Sequence, residues 1–147
     1  MKILFVAIGK AHDPAIKDAI LDFTGRIEHV FPIEWTLVPT DTKEKESEKI
    51  LKLLKADDYA ILLDERGSEW SSPETADFLN KQMNQGTKRL VFIIGGAYGV
   101  TDEVRTAAKK VWSLSRLVFP HQLVRLILAE QIYRAISIVR GEKYHHA

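Results

Sequence analysis

Short apolar runs alternate along this chain with stretches in which apolar residues return every three or four positions. Residues 2–8 (KILFVAI) are almost continuously apolar, as a strand covered on both faces requires. Residues 32–39 alternate (Ile33, Trp35, Leu37) and predict a second strand, YAILLD (59–64) a third and RLVFII (89–94) a fourth. Between them, Asp13-Pro14 predicts an N-cap and first helical position for a helix carrying Ile16, Ala19, Ile20 and Phe23. Residues 43–55 predict a charged helix with one apolar stripe, Ile50, Leu51, Leu53 and Leu54. Ser72-Pro73-Glu74 opens a helix that Gly86 stops, and Thr101-Asp102-Glu103 caps another running to about Lys110. Residues 112–114 and 117–119 read as the last extended pieces. Pro120 and His121 then turn the chain into a long helix whose core positions are Leu123, Leu126, Ile127, Ile132 and Ile136. Strands alternating with helices predict one α/β domain over residues 1–147, a mainly parallel sheet flanked by helices.

Composition narrows the chemistry more than the fold. With no cysteine there is no disulfide framework, thiolate metal site or thiol nucleophile. No apolar run approaches the roughly 20 residues of a membrane span, and the start lacks a secretory h-region, so a cytoplasmic protein is expected. The net charge of +1 hides an asymmetry. From Arg105 onward eight Lys/Arg face two acids, whereas the preceding residues carry a net −5. The C-terminal part therefore either faces an anion or nucleic acid, or is a solvated face with arginine stems packed beneath it.

Ligands of parallel α/β sheets bind beyond the carboxyl ends of the strands. Two loops fit that place: DERG (64–67) after the third strand, and GGAYG (95–99) after the fourth. The second is neither GxGxxG nor a P-loop, which argues against a dinucleotide Rossmann site and ATP hydrolysis. It reads as a close approach of ligand to backbone, or as a turn requiring positive φ. Asp64 and Glu65 read as loop carboxylates that pair or cap, with Arg66 at hand. Taken alone, His121 reads as a cap or core histidine. His145 and His146 form no zinc site without a third ligand, and no metal is expected. Trp35, Trp70 and Trp112 read as core or interface aromatics.

LDERG (63–67), FIIGGAYG (92–99), LSRLVFPHQLVRLILAEQIYRA (114–135) and GEKYHH (141–146) together resemble the RlmH family of SPOUT-class methyltransferases. The resemblance covers essentially the whole chain. It implies a SPOUT-type α/β fold with a deep C-terminal trefoil knot, an exception to the rule that chains are unknotted. It further implies S-adenosylmethionine as cofactor, a homodimer, and methylation of N3 of a pseudouridine in the helix 69 loop of 23S rRNA in assembled 70S ribosomes. By resemblance the cofactor site is Leu63, Gly95, Leu114, Ser115, Arg116, Leu117, Val118 and Phe119. Candidates for assisting loss of the N3 proton are His121, Tyr144, His145 and Arg134, while Arg125 or Arg140 would hold phosphates. The alternative is a non-enzymatic dimeric module of the same fold that docks its basic terminal helix on the ribosome.

Overall fold

A computed structural model describes residues 1–146. In chain order it contains β1 (Lys2–Ile8), α1 (Lys17–Glu28), β2 (Ile33–Val38), α2 (Lys43–Leu53) and β3 (Tyr59–Glu69). There follow α3 (Ser72–Asn84), β4 (Arg89–Ile94), α4 (Asp102–Ala107), β5 (Lys110–Ser113) and α5 (His121–Val139). The five strands form one sheet in the order β2-β1-β4-β3-β5, and every neighbouring pair is parallel. Because side chains alternate along a strand, the apolar runs feed two cores. Ile3, Phe5, Ala7, Leu90, Phe92 and Ile94 meet α1, α3 and α5 on one face. On the other face Leu4, Val6, Ile8, Val91 and Ile93 meet Ile50 of α2 and Val104 of α4. Burying one such side chain is worth about 1.5–3 kcal/mol, so the central strands β1 and β4 carry much of the stability.

Four elements differ from the pattern-based expectation, each for a local reason. First, Asp13 does not cap α1. Its carboxylate accepts from the amide of Ala15 (2.8 Å), and its own amide donates to the Gln122 side chain (2.9 Å), so residues 13–16 turn before the helix begins. Second, β3 runs five residues beyond the apolar stretch. Leu63 and Ser68 both pair with Trp112, so residues 64–67 loop out as a four-residue bulge and the strand then resumes. The bulge closes tightly only because residue 67 is glycine: a Cβ there would lie 2.5 Å from the carbonyl oxygen of Val111. Third, α4 ends at Ala107, and Lys110 already belongs to β5. Finally, residues 117–119 are irregular backbone, not strand.

The buried face of α5 is Arg125, Leu128, Ala129, Ile132, Ala135 and Ile136, while Leu123 is 37% exposed. Trp112 is buried and stacks on Trp70 with ring centroids 4.9 Å apart, as expected of core aromatics. Among the described residues no helix is long and apolar enough to cross a membrane.

Candidate active site

The carboxyl ends of β3, β4 and β5 open into a cleft of about 370 Å³, within the size range of small-molecule sites. Leu62, Leu63, Ile94 and Trp112 line its interior; residues 64–66, 95–100, 114–115 and 117–119 form its walls, and His121 and Val124 of α5 close one side.

The glycine loop contains the positive-φ turn read from its sequence, together with a close approach of a protein side chain. Gly99 sits at φ +79°, and its amide donates to Gly96 O (3.0 Å), closing a tight turn. Gly96 meets a different demand: a Cβ there would lie 2.6 Å from a carboxylate oxygen of Glu46. Glu46 is buried in the first turns of α2, where its other oxygen accepts from the Asp41 amide (2.9 Å). Beside it, Ser47 Oγ accepts from the Thr101 amide (3.0 Å). Thus α2 braces both ends of the glycine loop from behind. No motif in the sequence marks Glu46 or Ser47, because they lie within a run of charged helix residues.

On the opposite wall Asp64 holds the bulge in shape. It accepts from the amide and side chain of Arg66 (2.9 and 3.3 Å) and from Arg105 (2.6 Å). Burial alone would raise its pKa, but these donors outweigh it and hold the carboxyl at about 2. Asp64 is therefore a paired structural carboxylate, and Arg66 is its partner. Ser115 organises the third wall: its carbonyl accepts from Ser113 Oγ (2.8 Å) and its hydroxyl from the Leu117 amide (3.0 Å).

Of the residues expected to hold cofactor, Leu63, Gly95, Leu114, Ser115, Leu117, Val118 and Phe119 line the cleft. Arg116 does not; its side chain is 87% exposed and reaches Glu69 (3.3 Å). Of the candidate proton acceptors, His121 lines the cleft. Arg134, Tyr144 and His145 gather instead farther along α5. Arg134 lies thirteen residues beyond His121, about 20 Å at 1.5 Å per residue. There Arg134 bonds Glu130 (2.7 and 2.8 Å) and donates to His145 Nδ1 (3.1 Å), which must accept because a guanidinium only donates. Its guanidinium also lies over the Tyr144 ring (4.7 Å), whose hydroxyl donates to Glu130 (3.3 Å). Burial, reinforced by the Glu130 charge, raises the Tyr144 pKa above its ordinary value of 10, so the phenol is neutral at pH 7. The tail through His145 is thus docked rather than frayed.

Arg125 is not a phosphate ligand: it is fully buried and donates to backbone carbonyls. Arg140 is half exposed and pairs with Glu142 (3.1 Å). Among the described residues no three His, Asp or Glu side chains converge as a metal site.

A family model for predicted SPOUT methyltransferases matches residues 1–145. The ribosomal RNA large subunit methyltransferase H of Parabacteroides distasonis is 42% identical over 156 residues, covering 99% of both chains. That of Trichlorobacter lovleyi is also 42% identical, covering 99% of this chain and all of the other. A solved structure of a probable methylase family protein from Haemophilus influenzae Rd KW20 superposes with a TM-score of 0.61. It covers 99% of this chain and 70% of that one at 14% identity, and so speaks to the fold alone. The cleft beyond a parallel sheet, the braced glycine loop and these full-length relatives lead to one assignment: the chain belongs to the ribosomal RNA large subunit methyltransferase H family of S-adenosylmethionine-dependent SPOUT methyltransferases.

Proposed function

We propose that the protein methylates N3 of a pseudouridine in the helix 69 loop of 23S rRNA in the assembled 70S ribosome, as a cytoplasmic homodimer. The observation that carries this reading is the cleft between the glycine loop and residues 114–119 in a chain that matches the family model over residues 1–145. The residues present fit the cofactor. Leu63, Leu114, Leu117 and Phe119 offer apolar surface to an adenine, beside the backbone of the glycine loop. Bound there, S-adenosylmethionine supplies a methyl carbon on a sulfonium, displaced in line by a nucleophile about 3 Å away.

The imide N3–H is a weak acid and must lose its proton before or during attack. His121 is the cleft residue placed to accept it. Arg134, Tyr144 and His145 lie too far along α5 to serve the cleft of their own chain. In a homodimer they serve the other cleft, with Tyr144 neutral and able to donate a hydrogen bond, and Arg134 stabilising negative charge on the base. Apolar side chains at the rim support a subunit seated there: Tyr98, Leu117 and Val118 are 83%, 68% and 78% exposed. The same passage of chain supports a trefoil knot within a single SPOUT domain spanning residues 1–147. Residues 114–120 leave β5 at the sheet edge, pass along the cleft at the ends of β3 and β4, and bring the start of α5 to the carboxyl end of β1. A knotted chain pulled from its ends would stop short of its full contour length of roughly 3.3–3.6 Å per residue.

The deciding experiment is methyl transfer from labelled cofactor to 70S ribosomes, free 23S rRNA and isolated large subunits, using the wild type and Gly95→Trp. Transfer to 70S ribosomes at one nucleotide, lost in Gly95→Trp together with cofactor binding, is expected. Ribosome binding without transfer by the wild type would instead make the chain a binding module.

A further inference from the structure

Arg125 is the least expected side chain in the molecule. It is fully buried, burial depresses its pKa, and among the described residues its partners are backbone carbonyls and a histidine rather than a carboxylate. Its Nη2 donates to Ile8 O (2.7 Å) and its Nη1 to Ala11 O (2.8 Å), with His12 Nδ1 at 3.1 Å, while Nε has no partner. One turn earlier, Gln122 donates to the same Ala11 O (3.1 Å) and accepts from the Asp13 amide (2.9 Å). Gly9, at φ +116°, bends the end of β1 around the guanidinium; a Cβ there would lie 3.0 Å from Nη2. A buried cation with no anion is a poor way to stabilise a core, since an apolar side chain of similar size commonly does as well or better. Some demand other than stability fixes this geometry.

That demand is at the start of α5. Pro120, the N-cap residue, makes no side-chain hydrogen bond, and the first turn holds no acidic residue. Residues 114–119 are secured at one end by β5 and internally by Ser115. Their other end is held through the first turn of α5, which Gln122 and Arg125 tie to the loop after β1. We propose that Arg125 is a positioning residue for cofactor binding: with Gln122 it clamps the first turn of α5 to the end of β1, fixing residues 114–124 as a wall of the cleft. This rests on the reading of the cleft as the cofactor site. Arg125 touches neither cofactor nor RNA; it sets the geometry of residues that do.

The test uses the full chain with Arg125→Met, Arg125→Lys and Gln122→Ala, beside Gly95→Trp. Calorimetry gives cofactor affinity, thermal unfolding gives stability, and ribosome methylation gives kcat and KM for cofactor. Removing a partner that orients a binding group costs about 10- to 100-fold in affinity at metal sites, and the same scale applies to this wall. Arg125→Met should therefore unfold cooperatively yet bind S-adenosylmethionine about 10- to 100-fold more weakly, with KM rising in step and kcat at saturating cofactor nearly kept. Arg125→Lys, able to reach one carbonyl but not both, should recover part of the loss. Gln122→Ala should show a smaller loss of the same kind, and it carries the test if Arg125→Met does not fold. Wild-type affinity in folded Arg125→Met or Gln122→Ala would overturn the clamp alone, as would a fall in kcat at unchanged KM. Wild-type binding that survives Gly95→Trp would overturn the cleft reading itself.

Discussion

Two Asp–Arg pairs sit at opposite ends of the apolar run of β3, residues 59–63, and they are built for different ends. At the amino end Asp58 is nearly sealed (side chain 2% exposed) and bonds Arg89 at 2.5 and 2.8 Å. Arg89 also donates to Leu53 O (2.6 Å), tying the end of α2 to β4. At the carboxyl end Asp64 is 13% exposed and shared between Arg105 and Arg66, the latter 75% exposed. The first pair closes the sheet's end. The second shapes a bulge while leaving the space beside it open. One ion-pair chemistry thus serves as a seal where packing continues and as a frame where it stops.

Breaking the seal should have the largest effect on stability. Arg89→Ala leaves a buried carboxylate without its partner and should cost about 3–5 kcal/mol, read by chemical denaturation. Cofactor affinity of the molecules that remain folded should be unchanged; a matching loss of affinity would show that the two ends are not separable. Asp64→Asn should cost less, about 1.5–3 kcal/mol for hydrogen bonds to a charged group, but should weaken cofactor binding because the bulge relaxes into the cleft. Its pH signature follows from the pKa of about 2, below the ordinary 3.8. Its contribution is complete above about pH 4 and is lost as pH falls toward 2. Asp64→Asn should flatten that acid limb, whereas an unchanged limb would assign it to other carboxylates.

Smaller stability effects sharpen the contrast with the docked tail. Tyr144→Phe removes one long hydrogen bond and should cost at most about 0.5 kcal/mol, while lowering methyl transfer more than tenfold at unchanged cofactor affinity. Mixing the impaired Tyr144→Phe and inactive Gly95→Trp chains should raise transfer above that of either alone if the tail acts on the other subunit's cleft; no rise would place its action elsewhere. Arg66→Ala should leave the unfolding midpoint unmoved, because its side chain is mostly in solvent and Arg105 still holds Asp64.

How much of this was legible in the sequence depends on whether a signal is periodic or pairwise. The runs at 2–8 and 89–94 and the alternation at 33–38 appear as strands at or within a residue of where the pattern places them, since burial on fixed faces imposes it. The glycine loop is legible from its position just after the fourth apolar run, whereas residues 114–119 join it as candidates through motif resemblance. Composition could not reveal the extension of β3, which depends on Gly67 meeting Val111 across the sheet. Neither Asp13's turn nor Arg125's burial has a local signature; each is set by residues more than a hundred positions away. A buried arginine on an apolar helix looks in sequence like any snorkelling one, which is why a phosphate-binding role was the natural expectation.

The clamp also has a consequence in time. Its bonds join residues 8–13 to residues 122 and 125, separated by 109 to 117 positions. Chains are made at roughly 5–20 residues per second, so β1 waits several seconds at least before the arginine that completes its end has been synthesised. During that interval the β1, α1 and α2 segments can begin to order, but the cofactor wall has no fixed position. A methyltransferase of ribosomal RNA therefore stays without a finished cleft for most of its own synthesis on a ribosome.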